Sequence, residues 1–139
     1  MAVIEFARNR LNMRNATSSE FGPSKGSVVG LMSEWIKDGK LMKGTDKDLG
    51  GTMRLGSYEA RLKKDTKISK IYNSLKIEER HRHRYEVNIN YKEDFENKGM
   101  IFSGLSPDNK LPEIIELEDH PWFIGCLLYT SPSPRDLRL

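Results

Sequence analysis

Apolar positions in the first dozen residues fall at helical spacing. Val3, Ile4, Ala7 and Leu11 share a face, so "AVIEFARNRLNM" predicts an amphipathic helix. It starts abruptly at Met1, with no capping residue ahead of it. "NATSSEFGPSKGS" is rich in Asn, Ser, Gly and Pro and predicts a long loop. "VVGLMSEW" is a short apolar segment that predicts an edge strand or a loop anchor, and "IKDGKLMKGTDKD" is a polar, lysine-rich connection.

The pattern then tightens. "LGGTMRLGSYEARLK" enters through a glycine pair, Gly50 and Gly51, and continues as a strand. Thr52, Arg54, Gly56 and Tyr58 lie on one face, with Met53, Leu55 and Ser57 on the other. The glycine pair lacks the length and the lysine of a phosphate-binding loop, so a tight entry into the strand is the reading. "DTKISKIYNSL" predicts a short helix capped by Asp65 or Thr66. In "EERHRHRYEVN", Arg80, Arg82, Arg84 and Glu86 alternate with His81, His83, Tyr85 and Val87, which assigns the two sets to opposite strand faces. "INYKEDFENKG" reads as a helix stopped by Gly99. "MIFSGLSPDNKLPEIIELE" predicts two strands about a Ser-Pro-Asp-Asn turn, and "HPWFIGC" a last, fully apolar strand. After Cys126, "LLYTSPSPRDLRL" has no continuing period and predicts no packed element. There is no internal repeat.

Composition narrows the class. At 139 residues, 37% hydrophobic and 31% charged, the chain fits one soluble globular domain. No apolar run approaches the roughly 20 residues of a membrane span, and the N-terminus lacks the order of a secretory signal. The single cysteine, Cys126, cannot form an internal disulfide, which agrees with a cytoplasmic setting. Twenty-three basic residues face 20 acidic ones, a mixed surface rather than a field built for nucleic acid.

The basic run admits several readings. His81 and His83 could share a metal, but His120 and Cys126 lie far off and no companion motif supplies further ligands. Three arginines could contact phosphates, although Glu78, Glu79 and Glu86 dilute the field. The strand could simply be exposed, its long basic side chains paired with neighbouring acids. An arginine could instead clamp a small carboxylate through two parallel hydrogen bonds.

"LGGTMRLG" (49–56), "ERHRHRYEVN" (79–88) and "LEDHPWFIG" (117–125), with "AVIEFARN" (2–9) and "NATSSEF" (15–21) in the same order, resemble the glutamine amidotransferase domain of the CTP synthase family. The likeness covers nearly all of 2–126. It implies an α/β fold, class I glutamine amidotransferase-like (flavodoxin-like), with a mixed sheet flanked by helices. It also implies hydrolysis of glutamine and release of ammonia for the ATP-dependent amination of UTP to CTP. The family chemistry uses a Cys-His-Glu triad and a backbone oxyanion hole. ATP and magnesium are expected in a separate N-terminal synthetase domain, with no cofactor and no metal in this segment. L-glutamine, that synthetase domain and a homo-oligomer are the implied partners; neither nucleic acid nor a membrane is.

Carried over residue by residue, Arg84 matches the glutamine-contacting arginine and Glu20 the glutamine-contacting glutamate. A cation and an anion together can read the zwitterionic end of a free amino acid. Without the resemblance, Glu20 would read as a solvated loop acid. No catalytic residue is carried over. The family nucleophile lies in a Gly-x-Cys-x-Gly turn ahead of the "AVIEFAR" helix, and the triad histidine and glutamate follow the last apolar strand. Register alone sets Tyr129 and Ser131 at those two positions, and neither can shuttle protons as the pair does. Cys126 reads as a small core residue. The expectation is therefore a partial amidotransferase domain over 1–126, truncated at both ends and inert by itself, with a non-native tail over 127–139. The alternative is a non-catalytic module that binds glutamine or a partner. Loss of a strand ahead of Met1 would open a parallel sheet and predicts marginal stability.

Overall fold

In the computed structural model, which describes residues 1–22, 24–31, 36–37, 40–41 and 54–129, helix α1 spans Ala2–Arg10. It buries Val3, Ile4, Phe6 and Ala7, the face that the spacing marks out. Its first residue has no side-chain cap, as the sequence implies. The Arg8 Nε donates a 2.8 Å hydrogen bond to the Ala16 carbonyl, tying the helix to the segment that follows.

That segment is more ordered than a loop. Strand β1 (Thr17–Ser18) runs into a single 3-10 turn over Ser19–Phe21, and the Ser18 side chain accepts from the Glu20 amide. β1 pairs in parallel with β2 (Ser27–Leu31), whose other edge takes β7 (Tyr85–Val87) in antiparallel. β2 is thus the centre of a three-stranded sheet, not an edge, because Val28 and Gly30 turn inward beneath α1. Gly26 makes the β1–β2 connection possible. A Cβ there would collide with the Asn15 carbonyl, whose carbon would lie only 2.8 Å away. Two short strands, β3 (Ile36–Lys37) and β4 (Lys40–Leu41), pair with each other. Gly50, Gly51, Thr52 and Met53 lie outside the described residues, so the glycine-led entry into the next strand does too.

The second sheet has six strands in the order β10-β9-β8-β5-β6-β11. Its long antiparallel pair is β5 (Arg54–Leu62) with β6 (Lys76–His83), in register from Arg54↔His83 to Arg61↔Lys76. Helix α2 (Lys67–Tyr72) joins them, capped by Thr66 rather than Asp65, in a reciprocal capping box with Ser69. The buried Glu116 carboxylate accepts from the Lys67 and Ile68 amides and anchors that first turn. After β7, a 3-10 turn (Ile89–Tyr91) leads into helix α3 (Lys92–Glu96), shorter than "INYKEDFENKG" suggests. β8 (Met100–Leu105) and β9 (Pro112–Leu117) form the expected pair.

The two faces of this sheet carry two cores. On one, Met100, Phe102 and Ile115 meet α1 and Phe95 of α3, with the Phe6, Phe95 and Phe102 rings stepping 5.8 and 5.9 Å from one to the next. On the other, Ile114, Ala60, Leu62 and Ile77 pack with Ile68 and Leu128. Ile114 and Ile115 point opposite ways because strand side chains alternate.

Two expectations near the C-terminus fail. β10 covers only Ile124–Cys126 at the sheet edge, with Trp122 62% exposed ahead of it and Cys126 exposed, so this strand is not buried and Cys126 is not a core residue. Packing also continues past Cys126: β11 (Leu128–Tyr129) pairs with β6 at His81 and Arg80, and Leu128 is buried. The apolar side of "LLY" supplies what the Pro-Ser pattern hides. Ser131 and the rest of 130–139 lie outside the described residues. No described helix is long and apolar enough to cross a membrane.

His81 is fully buried in the middle of β6, edge-on to Tyr58 at 5.5 Å. Burial, the Arg54 guanidinium and His83 pull its pKa from an ordinary 6.5 down to about 3. The folded ring therefore stays neutral while the unfolded ring takes up a proton below 6.5. The resulting stability is complete above that pH and is lost as the pH falls towards 3. Between pH 7 and pH 4 urea unfolding should show a loss on the order of 3 kcal/mol from this ring, and His81→Phe should remove that component; identical pH profiles for the two proteins would contradict it. Separately, Gly26→Ala should lower stability by about 1–3 kcal/mol in thermal melts, and an unchanged melting temperature would show that the β1–β2 approach is looser than described.

Candidate functional site

The sheet pairings bring the two carried-over residues to one end of the molecule. β1 and β2 are parallel, so the turn holding Glu20 follows the C-terminal end of β1 and packs against β2. β7 runs the other way, and its first pair is Leu31↔Tyr85. Arg84, immediately before Tyr85, therefore stands at that same end. β1 and β7 flank β2, which separates them by about 10 Å at ordinary strand spacing. Both Glu20 and Arg84 are exposed, and neither has an ion-pair partner among the described residues. The C-terminal end of parallel strands is where open α/β sheets bind ligands.

The alternation of the basic run breaks at Arg84. Arg80 and Arg82 do face outward from β6, with His81 inward. At Arg84 the chain leaves the six-stranded sheet, bends, and enters the three-stranded one as β7. Glu86 accordingly points inward, 1% exposed, and does not share a face with the arginines. This also removes the continuous three-arginine face that a phosphate grip would use.

Beneath the bend lies a buried charge cluster that the sequence reading missed. Arg54, 7% exposed, forms an ion pair with Glu113, and its Nη1 lies 3.6 Å from Glu86 Oε1. The same Glu86 oxygen is 2.7 Å from His83 Nε2, and the Arg54 guanidinium sits 4.6 Å from the Tyr58 ring centroid. His81 Nδ1 is 3.4 Å from Glu113 Oε2. Burial pushes the Glu113 carboxyl up, and Arg54 beside it only partly offsets that. Glu86 Oε2 and Glu113 Oε2 have no hydrogen-bond partner among the described residues. One signal was present: acids inside the apolar run "PEIIEL" imply buried partners, here Arg54 for Glu113 and the α2 amides for Glu116.

Behind the cluster, a cavity of about 190 Å³ is lined by Ala2 and Val3 of α1, Val29, Glu86, Glu113 and Cys126, among others. Cys126 is not poised as a nucleophile. The residue is exposed at an edge strand, yet burial around its sulfur, with the Glu116 carboxylate second, holds its pKa above the ordinary thiol value. Among the described residues, no group of three or more His, Cys, Asp or Glu is arranged to hold a metal ion.

The chain is 69% identical over 137 residues to the CTP synthase of Pelagibacter ubique and 60% identical over 138 residues to that of Rhizobium johnstonii, in each case over 99% of its own length. It spans about a quarter (26%) of the length of those relatives. Among solved structures, the glutaminase domain of Trypanosoma brucei CTPS with bound acivicin superposes with a TM-score of 0.75 at 32% identity, over 92% of this chain and 47% of that one. The family model for "Glutamine amidotransferase class-I" matches residues 2–126. With that match running through both sheets, the bend at Arg84 and the turn at Glu20, the chain belongs to the class-I glutamine amidotransferase family.

Proposed function

We propose that this chain forms the glutamine-recognising part of a CTP synthase, in which glutamine hydrolysis supplies ammonia for the ATP-dependent amination of UTP. The placement of Glu20 and Arg84 at one end of the β1-β2-β7 sheet carries the reading. Arg84 offers the α-carboxylate a planar fork of donors, and Glu20 accepts from the α-ammonium. Both charges are solvated and without an ion-pair partner among the described residues, so no ion pair there has to break. With the amino-acid end held, the side-chain amide extends away from both groups. Binding excludes water and strengthens both contacts.

Cleavage of the amide consumes one water, breaks the C–N bond and releases ammonia and glutamate. It needs a thiolate with a paired imidazole. Cys126, with a raised thiol pKa on an edge strand, is not that thiolate. This chain accordingly contributes recognition, and bond breaking belongs to residues other than those described. The support in sequence is the 69% identity to the Pelagibacter ubique CTP synthase, and in structure the likeness to a glutaminase domain that binds acivicin. Amination of UTP, the ATP and magnesium it uses, a cytoplasmic setting and assembly into a homo-oligomer belong to the same proposal for the whole enzyme.

In a full-length enzyme carrying this segment, Arg84→Ala should raise the glutamine KM at least tenfold, the loss of a charge-assisted hydrogen-bond pair of about 1.5–3 kcal/mol. Glu20→Ala should act in the same direction, and CTP formation from added ammonia should be unchanged in both. An unaltered glutamine KM for Arg84→Ala would remove the clamp. Release of ammonia from glutamine by the purified 139-residue chain would contradict the division between recognition and cleavage.

A further inference from the structure

Only one residue, Arg84, separates the last register pair of β6, Arg54↔His83, from the first of β7, Leu31↔Tyr85. The direction of that single residue fixes where its guanidinium stands, and its own side chain has no ion pair among the described residues to hold it. Something else must hold the bend.

We propose that Glu86 is the positioning residue for Arg84: its carboxylate reaches back across the bend to His83 and Arg54 and so sets the affinity for the α-carboxylate of glutamine. This rests on the reading of Arg84 as the clamp. The geometry is a staple. Glu86 Oε1 lies 2.7 Å from His83 Nε2 on the near side of the bend and 3.6 Å from Arg54 Nη1 on the neighbouring strand. Arg54 is held in turn by Glu113 of β9, so the staple is anchored in the six-stranded sheet. Glu86 itself belongs to β7 of the other sheet, paired with Gly30. Its carboxylate therefore joins the two sheets at the point where Arg84 emerges.

Packing alone does not explain a carboxylate here. An apolar side chain of similar size would fill the same volume without desolvating a charge, and buried ion pairs contribute little net stability against such replacements. What the carboxylate adds is direction: it crosses one bend to two partners at fixed positions, the register pair Arg54 and His83 of the six-stranded sheet. The cluster also keeps Arg54 inside, whereas Arg84 stands exposed at this end of β7.

The test is a glutamine titration of the 139-residue chain, followed by NMR at the Arg84 Nε–H and at the Arg84 and Tyr85 amides, with melting temperatures measured in parallel. Glu86→Gln should weaken glutamine binding about tenfold and shift the Arg84 signals of the free protein, and Glu86→Asp should restore part of the affinity. His83→Gln, which removes one arm and leaves the Arg54 pairs, should weaken binding about threefold and serves if Glu86→Gln does not fold. A lowered melting temperature with unchanged affinity and unshifted Arg84 signals well below it would reduce Glu86 to a structural residue and overturn the proposal. The reading of the clamp fails separately, if Arg84→Ala leaves glutamine affinity unchanged; shifted Arg84 signals in Glu86→Gln would then still uphold the staple.

Discussion

The buried pairing of Arg54 with Glu113 and Glu86 is the constraint on which the rest of this structure depends. Arg54 opens β5, Glu113 lies in β9 and Glu86 in β7, so one guanidinium ties three strands from two sheets. Such a cluster is a poor source of stability, because desolvating each charge costs about as much as the pairing returns. It is a strong source of register. A slip of one residue in β7 would swing Glu86 to the opposite face and leave Arg54 with one partner fewer. His81 and His83 add to the specification: the first stays neutral against Tyr58, and the second meets the same Glu86 oxygen that Arg54 approaches.

The placement of Glu20 and Arg84 follows from this packing. The sheet that carries Glu20 and Arg84 has three short strands, and Val28 and Val87 join it to the core beneath α1. It leans on α1 through Val28 and on the six-stranded sheet through Glu86. Glu20 is fixed by a different route, in which Arg8 bonds Ala16, β1 follows, and Ser18 caps the turn. Two exposed charges thus stand on separately anchored supports at one end of a parallel pair. In the proposed role, that arrangement presents a cation and an anion to a zwitterion without letting them neutralise each other first.

Much of the fold is legible in the residues. The helical spacing of Val3, Ile4 and Ala7, the Thr66 cap and the alternation of β6 all hold in space, because each is set by neighbours within a few positions. What is not legible is set at long range. β1 is two residues long and exists only because β2 lies beside it, so its sequence reads as loop. Glu86 continues the arginine alternation on paper and departs from it because the chain changes sheets at Arg84. β11 hides behind proline and serine, yet Leu128 closes the second core. The candidate site shows the same division. Glu20 and Arg84 came from the resemblance to a family, their common location from strand pairing, and Arg54 and Glu86 from the coordinates alone, while the burial of Glu113 is hinted at by the apolar run around it.

The most direct measurement separates the two ends of the zwitterion. Glutamine, glutaramic acid (which lacks the α-amine) and 4-aminobutanamide (which lacks the α-carboxylate) would be titrated into the parent chain, Arg84→Ala and Glu20→Gln. If the two charges divide the amino-acid end as described, Arg84→Ala weakens glutamine and glutaramic acid alike and leaves 4-aminobutanamide unaffected, while Glu20→Gln weakens glutamine and 4-aminobutanamide and leaves glutaramic acid unaffected. Equal losses for all three ligands in either variant would contradict the two-charge grip.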